Sequence, residues 1–168
     1  RAGLVASRER PGANLTGVAS LTAEVGAKRL ELLKAAVPAV SRVAVLWTSA
    51  RATDPVALQD MQSAAQALGI TLAPLGGRVP SGYDAALAAA IGARADALII
   101  FGGGNVAHPG EQRLLELVAR QRLPALYDRR EYADAGGLMA FGVNFPALAR
   151  RAAVYVDKIL KGAKPADL

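Results

Sequence analysis

Nine residues of this chain carry groups that could hold a small polar molecule: Thr48, Ser49, Gly103, Gly104, Asn105, Tyr127, Asp128, Gly142 and Asn144. They offer hydroxyls, carboxamides, backbone donors freed by glycine, one phenol and one carboxylate. The loop 76–78, Gly-Gly-Arg, adds more of the same. This is the equipment of a hydrogen-bonding pocket for a small polar or zwitterionic ligand. It is poor equipment for catalysis. The one histidine, His108, stands beside Pro109 with no acidic cluster near it in sequence, and there is no cysteine, so neither a metal set nor a nucleophile–base–acid arrangement can be assembled around it. Asp128, Arg129 and Glu131 could be catalytic, but a salt-bridged helix start accounts for them as well. Residues 102–107, Gly-Gly-Gly-Asn-Val-Ala, match G-x-G-x-x-A. That pattern should follow the first strand of a βαβ unit and open directly into a helix. Here it follows the third strand and Pro109 delays the helix, so it does not mark a dinucleotide site. No glycine precedes Lys-Ser or Lys-Thr, which removes a Walker phosphate loop. No cofactor and no metal are expected.

These residues share one kind of position, just beyond apolar runs. Residues 97–101 are wholly apolar and end in three glycines and an asparagine. Short, fully apolar runs read as strands buried on both faces of a parallel sheet. Residues 43–46 (Val-Ala-Val-Leu), 70–75, 123–127 and 137–141 read as four more strands, and 15–18 as a short extra one. Between them run helical patterns. Leu30, Leu33 and Val37 mark a helix from Thr22 to about Ala36, stopped by Pro38. Asp54-Pro55 opens a helix to Leu68 with Ala57, Met61, Ala65 and Leu68 on one stripe. Tyr83, Leu87 and Ile91 face inward from the next, and Leu114, Leu117 and Val118 from the one after. A short helix covers 129–135, and a last helix from about Pro146 buries Leu148, Ala152, Tyr155, Val156 and Ile159. Five alternations with short connections predict an α/β three-layer sandwich, a five-stranded parallel flavodoxin-like sheet of order 2-1-3-4-5 with residues 97–101 in the centre. In such sheets ligands bind beyond the carboxyl ends of the strands, where all nine candidates fall.

The chain has 168 residues, 52% hydrophobic and 20% charged, a globular composition. Its net charge of +6 and pI of about 10.1 raise the question of nucleic acid. The basic residues are scattered along helices beside acids, and aromatics, only 5%, do not interleave with them. A solvated basic surface is expected, with no nucleic-acid partner. No apolar run reaches the ~18 residues of a membrane-spanning helix. Residues 1–10 lack the apolar core of a signal peptide.

Several phrases together resemble one family: 10–17 (Arg-Pro-Gly-Ala-Asn-Leu-Thr-Gly), 28–34 (Lys-Arg-Leu-Glu-Leu-Leu-Lys), 41–47 (Ser-Arg-Val-Ala-Val-Leu-Trp), 136–142 (Gly-Gly-Leu-Met-Ala-Phe-Gly), and 151–168, which carries Lys-Ile-Leu-Lys-Gly-Ala-Lys-Pro-Ala-Asp-Leu at its end. The chain is similar over nearly its whole length to the extracytoplasmic substrate-binding proteins of bacterial ABC transporters, in the branch that includes aromatic amino-acid binders. The resemblance implies two α/β lobes closing on a ligand, as in type I periplasmic binding proteins, with delivery to a membrane permease and no chemistry. It implies that this chain is one lobe: residues 1–20 a remnant of the other lobe and the crossover from it, 21–161 the ligand-binding lobe, and 162–168 the start of the return crossing. A missing N-terminal lobe, a signal peptide upstream and a periplasmic or extracytoplasmic location follow from it. A rim shaped to meet a partner lobe is also expected to be able to pair with a second copy.

By the same resemblance, Asn105 and Asn144 stand where relatives place polar ligand contacts after the third and fifth strands. Gly104 stands where relatives carry an acid, and Thr48 and Ser49 replace the Asn-Pro or Asn-Ser seen after the first strand. Asp128 is then the carboxylate left to meet a ligand ammonium. Two other classes share the fold. A ligand-sensing domain of a transcriptional regulator would need a helix-turn-helix, which these residues lack. A flavodoxin-like enzyme or receiver domain would need, in the receiver case, an acidic pair after the first strand, where this chain has Trp47-Thr48-Ser49.

Overall fold

The apolar runs pair as parallel strands. The computed structural model describes residue 7 and residues 12–19, 24–47, 54–75, 83–101 and 109–168. Its strands are β1 (Arg42–Trp47), β2 (Thr71–Pro74), β3 (Ala97–Phe101), β4 (Ala125–Tyr127) and β5 (Met139–Ala140). They form one five-stranded sheet in the order β2-β1-β3-β4-β5, every pairing parallel. β3 lies at the centre, in register with β1 from Val43↔Ala97 to Trp47↔Phe101. Helices α1 (Glu24–Ala36), α2 (Asp54–Leu68), α3 (Tyr83–Gly92), α4 (Pro109–Arg120), α5 (Arg130–Asp134) and α6 (Phe145–Leu160) alternate with them.

The two-residue period of the strands sorts the core into two layers. Val43, Val45, Ala97, Ile99 and Leu126 pack with Leu30, Leu33, Met61 and Ala65 of α1 and α2. Ala44, Leu46, Leu98, Ile100, Ala125 and Tyr127 pack on the other face with Leu87, Leu114, Leu117, Val118 and Tyr132 of α3, α4 and α5. The sheet is thus the middle of three layers, as its apolar strands require. Among the described residues no helix is long and apolar enough to cross a membrane.

The chain divides into two compact units, Leu21–Val143 and Arg1–Ser20 together with Asn144–Leu168. The sheet and α1 to α5 belong to the first. The second holds α6 and a final turn of 3-10 helix at Pro165–Asp167, with Thr16 Oγ1 donating to the Leu168 carbonyl at 3.0 Å.

Three expectations need correction. Residues 15–18 form no strand. Ile91 is 46% exposed, and Ala90 takes its place inside. On α3 the buried arc is centred on Tyr83, Leu87 and Ala90, and the next residue lies about 100° further round. None of Leu148, Ala152, Tyr155, Val156 and Ile159 is buried, and Val156 is 56% exposed. β2, β4 and β5 are also shorter than the runs that announced them.

At the amino edge of the sheet, Asp96 ties β3 to β1. Its carboxylate accepts from the Ser41 amide (3.0 Å), the Ser41 hydroxyl (2.9 Å) and the Arg42 amide (3.0 Å). Partial burial pulls its pKa up, but these bonds outweigh that and leave it below the usual carboxylate value. Asp96→Ala is expected to cost about 1 kcal/mol, an exposed set of bonds being worth less than a buried one. A carboxyl with a lowered folded pKa stabilises above its unfolded value of about 3.9, and that share is lost as pH falls through the folded pKa. Acid titration of wild type and Asp96→Ala, followed by circular dichroism, should therefore converge as the pH falls. A gap that widened toward acid would contradict the assignment.

Candidate functional site

In a parallel sheet every strand delivers its following loop to the same edge, so the described part of this edge is built by the turns after β4 and β5. Thr48, Ser49, Gly103, Gly104 and Asn105 lie outside the described residues, as do His108 and the loop 76–78. Asp128 follows β4 directly and is half-buried. Gly142 follows β5 and is exposed. These two stand side by side: the Gly142 backbone presses on the Asp128 carbonyl so closely that a β-carbon there would collide with it. Glycine is the residue that permits this approach.

Tyr127 is not on the rim. It is 1% exposed and its ring stacks on Tyr132, centroids 4.9 Å apart and planes within 6°. As the last residue of β4 it shares a sheet face with Ala125, and that face is core. Asn144 serves as the N-cap of α6, its Oδ1 accepting from the Ala147 amide at 3.0 Å. It belongs to the second unit. Arg129, half-buried, pairs with the exposed Glu131 at 3.6 Å at the start of α5.

Two charged residues outside the candidate set are buried among the described residues. Arg29, on α1, is 6% exposed. Its Nε donates to the Phe141 carbonyl at 2.9 Å, and its Nη2 lies 3.2 Å from where a β-carbon of residue 142 would stand. Burial lowers its pKa, and the charge of Asp128 opposes that. The signal was present: Arg29 is four residues before Leu33 and so shares the buried stripe of α1.

Glu111, in the first turn of α4, is also 6% exposed. Its Oε1 accepts from the Tyr83 hydroxyl at 2.7 Å and its Oε2 from the Tyr132 hydroxyl at 2.6 Å. Bonds to an ionised acceptor are the strong kind, and a helix N-terminus favours the negative charge. Glu111 sits three and seven residues before Leu114 and Val118, on their buried face, which was again legible. The network joins α3, α4 and α5 behind the sheet, at the start of the helix that follows the glycine loop. Gly137 completes it: a β-carbon there would meet the Tyr127 ring at 2.7 Å and the Tyr132 carbonyl at 2.8 Å.

Burial, and then the bond and charge of Glu111, raise the pKa of Tyr83 and Tyr132, and burial pushes Tyr127 up to about 12. Phenols with raised folded pKa values contribute stability that is complete below the unfolded value of about 10 and is lost as pH rises through the folded values. Loss of structure and tyrosinate formation are expected to coincide above about pH 10. Absorbance and circular dichroism recorded together test this. Ionisation of these three phenols near pH 10 with the fold intact would show that the network is open to solvent.

An open groove of about 410 Å³ lined by Gln112, Leu115, Glu116, Ala119, Ala135 and Gly136 lies between α4 and the end of α5, and none of the described candidate residues lines it. Among the described residues no three His, Cys, Asp or Glu side chains gather as a metal site. The described edge can therefore donate and accept hydrogen bonds, with the Asp128 carboxylate half-buried within it.

The family described as ABC transporter substrate binding protein matches residues 1–168. No curated protein matches the chain. Among solved structures, the chain is similar to an ABC domain in complex with L-Trp from Streptococcus pneumonia, at 23% identity and TM-score 0.76, covering 98% of this chain and 55% of that one. It is similar to the open, ligand-free form of a substrate binding protein with adhesive properties from Clostridium difficile, at 21% identity and TM-score 0.66, covering 99% and 55%. A LacI-family transcription repressor from Corynebacterium glutamicum shares the fold at 15% identity and TM-score 0.56, covering 82% and 57%. The chain spans about half the length of these proteins.

Proposed function

Because the chain belongs to the ABC transporter substrate-binding protein family, we propose that it forms one wall of an interlobe cleft that captures a small polar or amino-acid-like molecule outside the cytoplasm and passes it to a permease. The observation that carries this reading is the family match along all 168 residues. The carboxyl edge supports it, because its described groups suit binding without chemistry. The proposed contacts are Thr48, Ser49, Gly103, Gly104, Asn105, Asp128, Gly142 and Asn144, with Tyr127 acting from the core beneath them. An amino-acid-like ligand is favoured by the neighbour solved with L-Trp. In this reading the companion lobe supplies the second wall, and a signal segment sends the whole protein across the membrane.

The direct test is a thermal-shift screen of amino acids and small carboxylates, L-tryptophan among them, on a protein that includes both lobes. A positive hit should then weaken by about 1–3 kcal/mol in Asn105→Ala and in Asn144→Ala, if each leaves a buried polar partner unmatched. For Asn144 the stability of α6 must be measured beside affinity, since the loss of the cap alone costs about 1 kcal/mol. Unchanged affinity in both variants would place the cleft elsewhere. The regulator reading rests on shared fold alone, and a helix-turn-helix in the same polypeptide would be needed to revive it.

A further inference from the structure

We propose that Arg29 is a positioning residue for ligand capture: from beneath the surface it holds the turn after β4 against the turn after β5. The proposal rests on the carboxyl edge being the ligand face. Three segments far apart in sequence meet at this one side chain. It leaves α1, donates through Nε to the Phe141 carbonyl at 2.9 Å, and brings Nη2 against Gly142. Gly142 is itself seated on the Asp128 carbonyl, so the two turns touch directly and the guanidinium backs the contact. The Phe141 amide donates to the Tyr127 carbonyl at 2.9 Å, which closes the arrangement from the strand side.

A guanidinium suits this place and an ammonium does not. Its planar fork can serve a carbonyl on one side while the charge of Asp128 offsets the effect of burial, and a guanidinium keeps its charge in proteins. A buried cation left without these partners would be costly, so the turns and the side chain hold one another. At 6% exposure Arg29 acts through the backbone of the turns. The contact surface of the ligand edge near Asp128 and Gly142 is thereby set by a residue on α1.

Amide hydrogen exchange on the full chain, read by NMR, tests this without any ligand. Arg29→Met keeps the stem and removes the fork, and Arg29→Lys keeps the charge alone. Both are expected to speed exchange at Phe141 by roughly 10- to 100-fold while Val45 and Ile99 keep wild-type rates. Arg29→Lys should also keep more of the global stability than Arg29→Met. Uniform acceleration across the sheet would make Arg29 a stability residue only, and wild-type exchange at Phe141 in both variants would remove the clamp. Should Arg29→Met fail to fold, Arg29→Lys decides by the same criterion. A calorimetric arm with L-tryptophan separates the two readings. If the two-lobe wild type binds it, both variants should bind more weakly, and equal affinity would overturn the positioning role. If the wild type does not bind it, the amino-acid reading suffers while the exchange result still decides on Arg29.

Discussion

Tyr132→Ala is expected to destabilise the sheet-bearing unit by about 3–5 kcal/mol, a large share of what a domain of this size has. Tyr132 is fully buried, stacked on Tyr127 at 4.9 Å, and donates to Glu111 at 2.6 Å. Removing the ring opens a cavity between α5 and the sheet and strips the Glu111 carboxylate of one of its donors. Tyr132→Phe separates the two contributions. It keeps the stack and deletes the hydroxyl, and should cost about 1–3 kcal/mol, because the carboxylate stays buried with one donor fewer. Urea denaturation measures both, and a shift in midpoint at constant slope is the result that reports stability alone. If both variants fell within 1 kcal/mol of wild type, the Tyr83–Glu111–Tyr132 network would not be holding the helices. If Tyr132→Phe cost as much as Tyr132→Ala, the hydrogen bond, and not the packing, would dominate.

The second large effect concerns affinity. A protein with both lobes is expected to bind its ligand two to three orders of magnitude more tightly than the chain of 168 residues alone, a difference of about 3–4 kcal/mol. A ligand between two walls loses water from both faces and gains contacts from both. Against one wall, each polar contact competes with solvent and its net worth falls to about 1 kcal/mol or below. The exposed apolar residues of α6 fit the same division. Val156, Ile159 and Leu160, at helical spacing on one side of α6, are 56%, 37% and 82% exposed, an apolar patch that a neighbouring element should cover. Calorimetry of the chain beside the two-lobe protein, with one ligand found by the screen, measures the difference. Equal affinities would mean that this wall holds a complete site.

The strand order was legible because residues 97–101 and 43–46 are apolar at every position, which only a strand covered on both faces tolerates. Leu30, Leu33, Met61 and Leu114 were legible for the complementary reason, a single stripe at helical spacing. The errors have physical sources too. Position after a strand suggested a rim for Tyr127, yet the pleat points it the same way as Ala125, into the core. The stripe on α6 marks a face that wants covering and does not say what covers it, so the core it predicts is not the one that forms. Asn144 has the chemistry of a ligand contact and of a helix cap, and the sequence Asn-Phe-Pro-Ala already carried the second signal. Arg29 and Glu111 are hidden from a reading by charge alone, because charge ordinarily means surface. Their spacing from Leu33 and Leu114 argued otherwise, and a buried charge on an apolar stripe implies that partners are waiting for it.

The two outer strands of the sheet have a consequence for how copies of this chain can meet. β5 contains two residues, and β2 contains four and ends in Pro74, which has no amide hydrogen to offer a newcomer. Among the described residues neither margin presents a long row of open backbone donors and acceptors, so strand addition there is blunted on both sides and with it the commonest route to edge-to-edge aggregation. Self-association through the described residues is then left to side chains on helix faces or the ligand rim, and such contacts can be tuned or abolished by single surface substitutions without disturbing the backbone ladder.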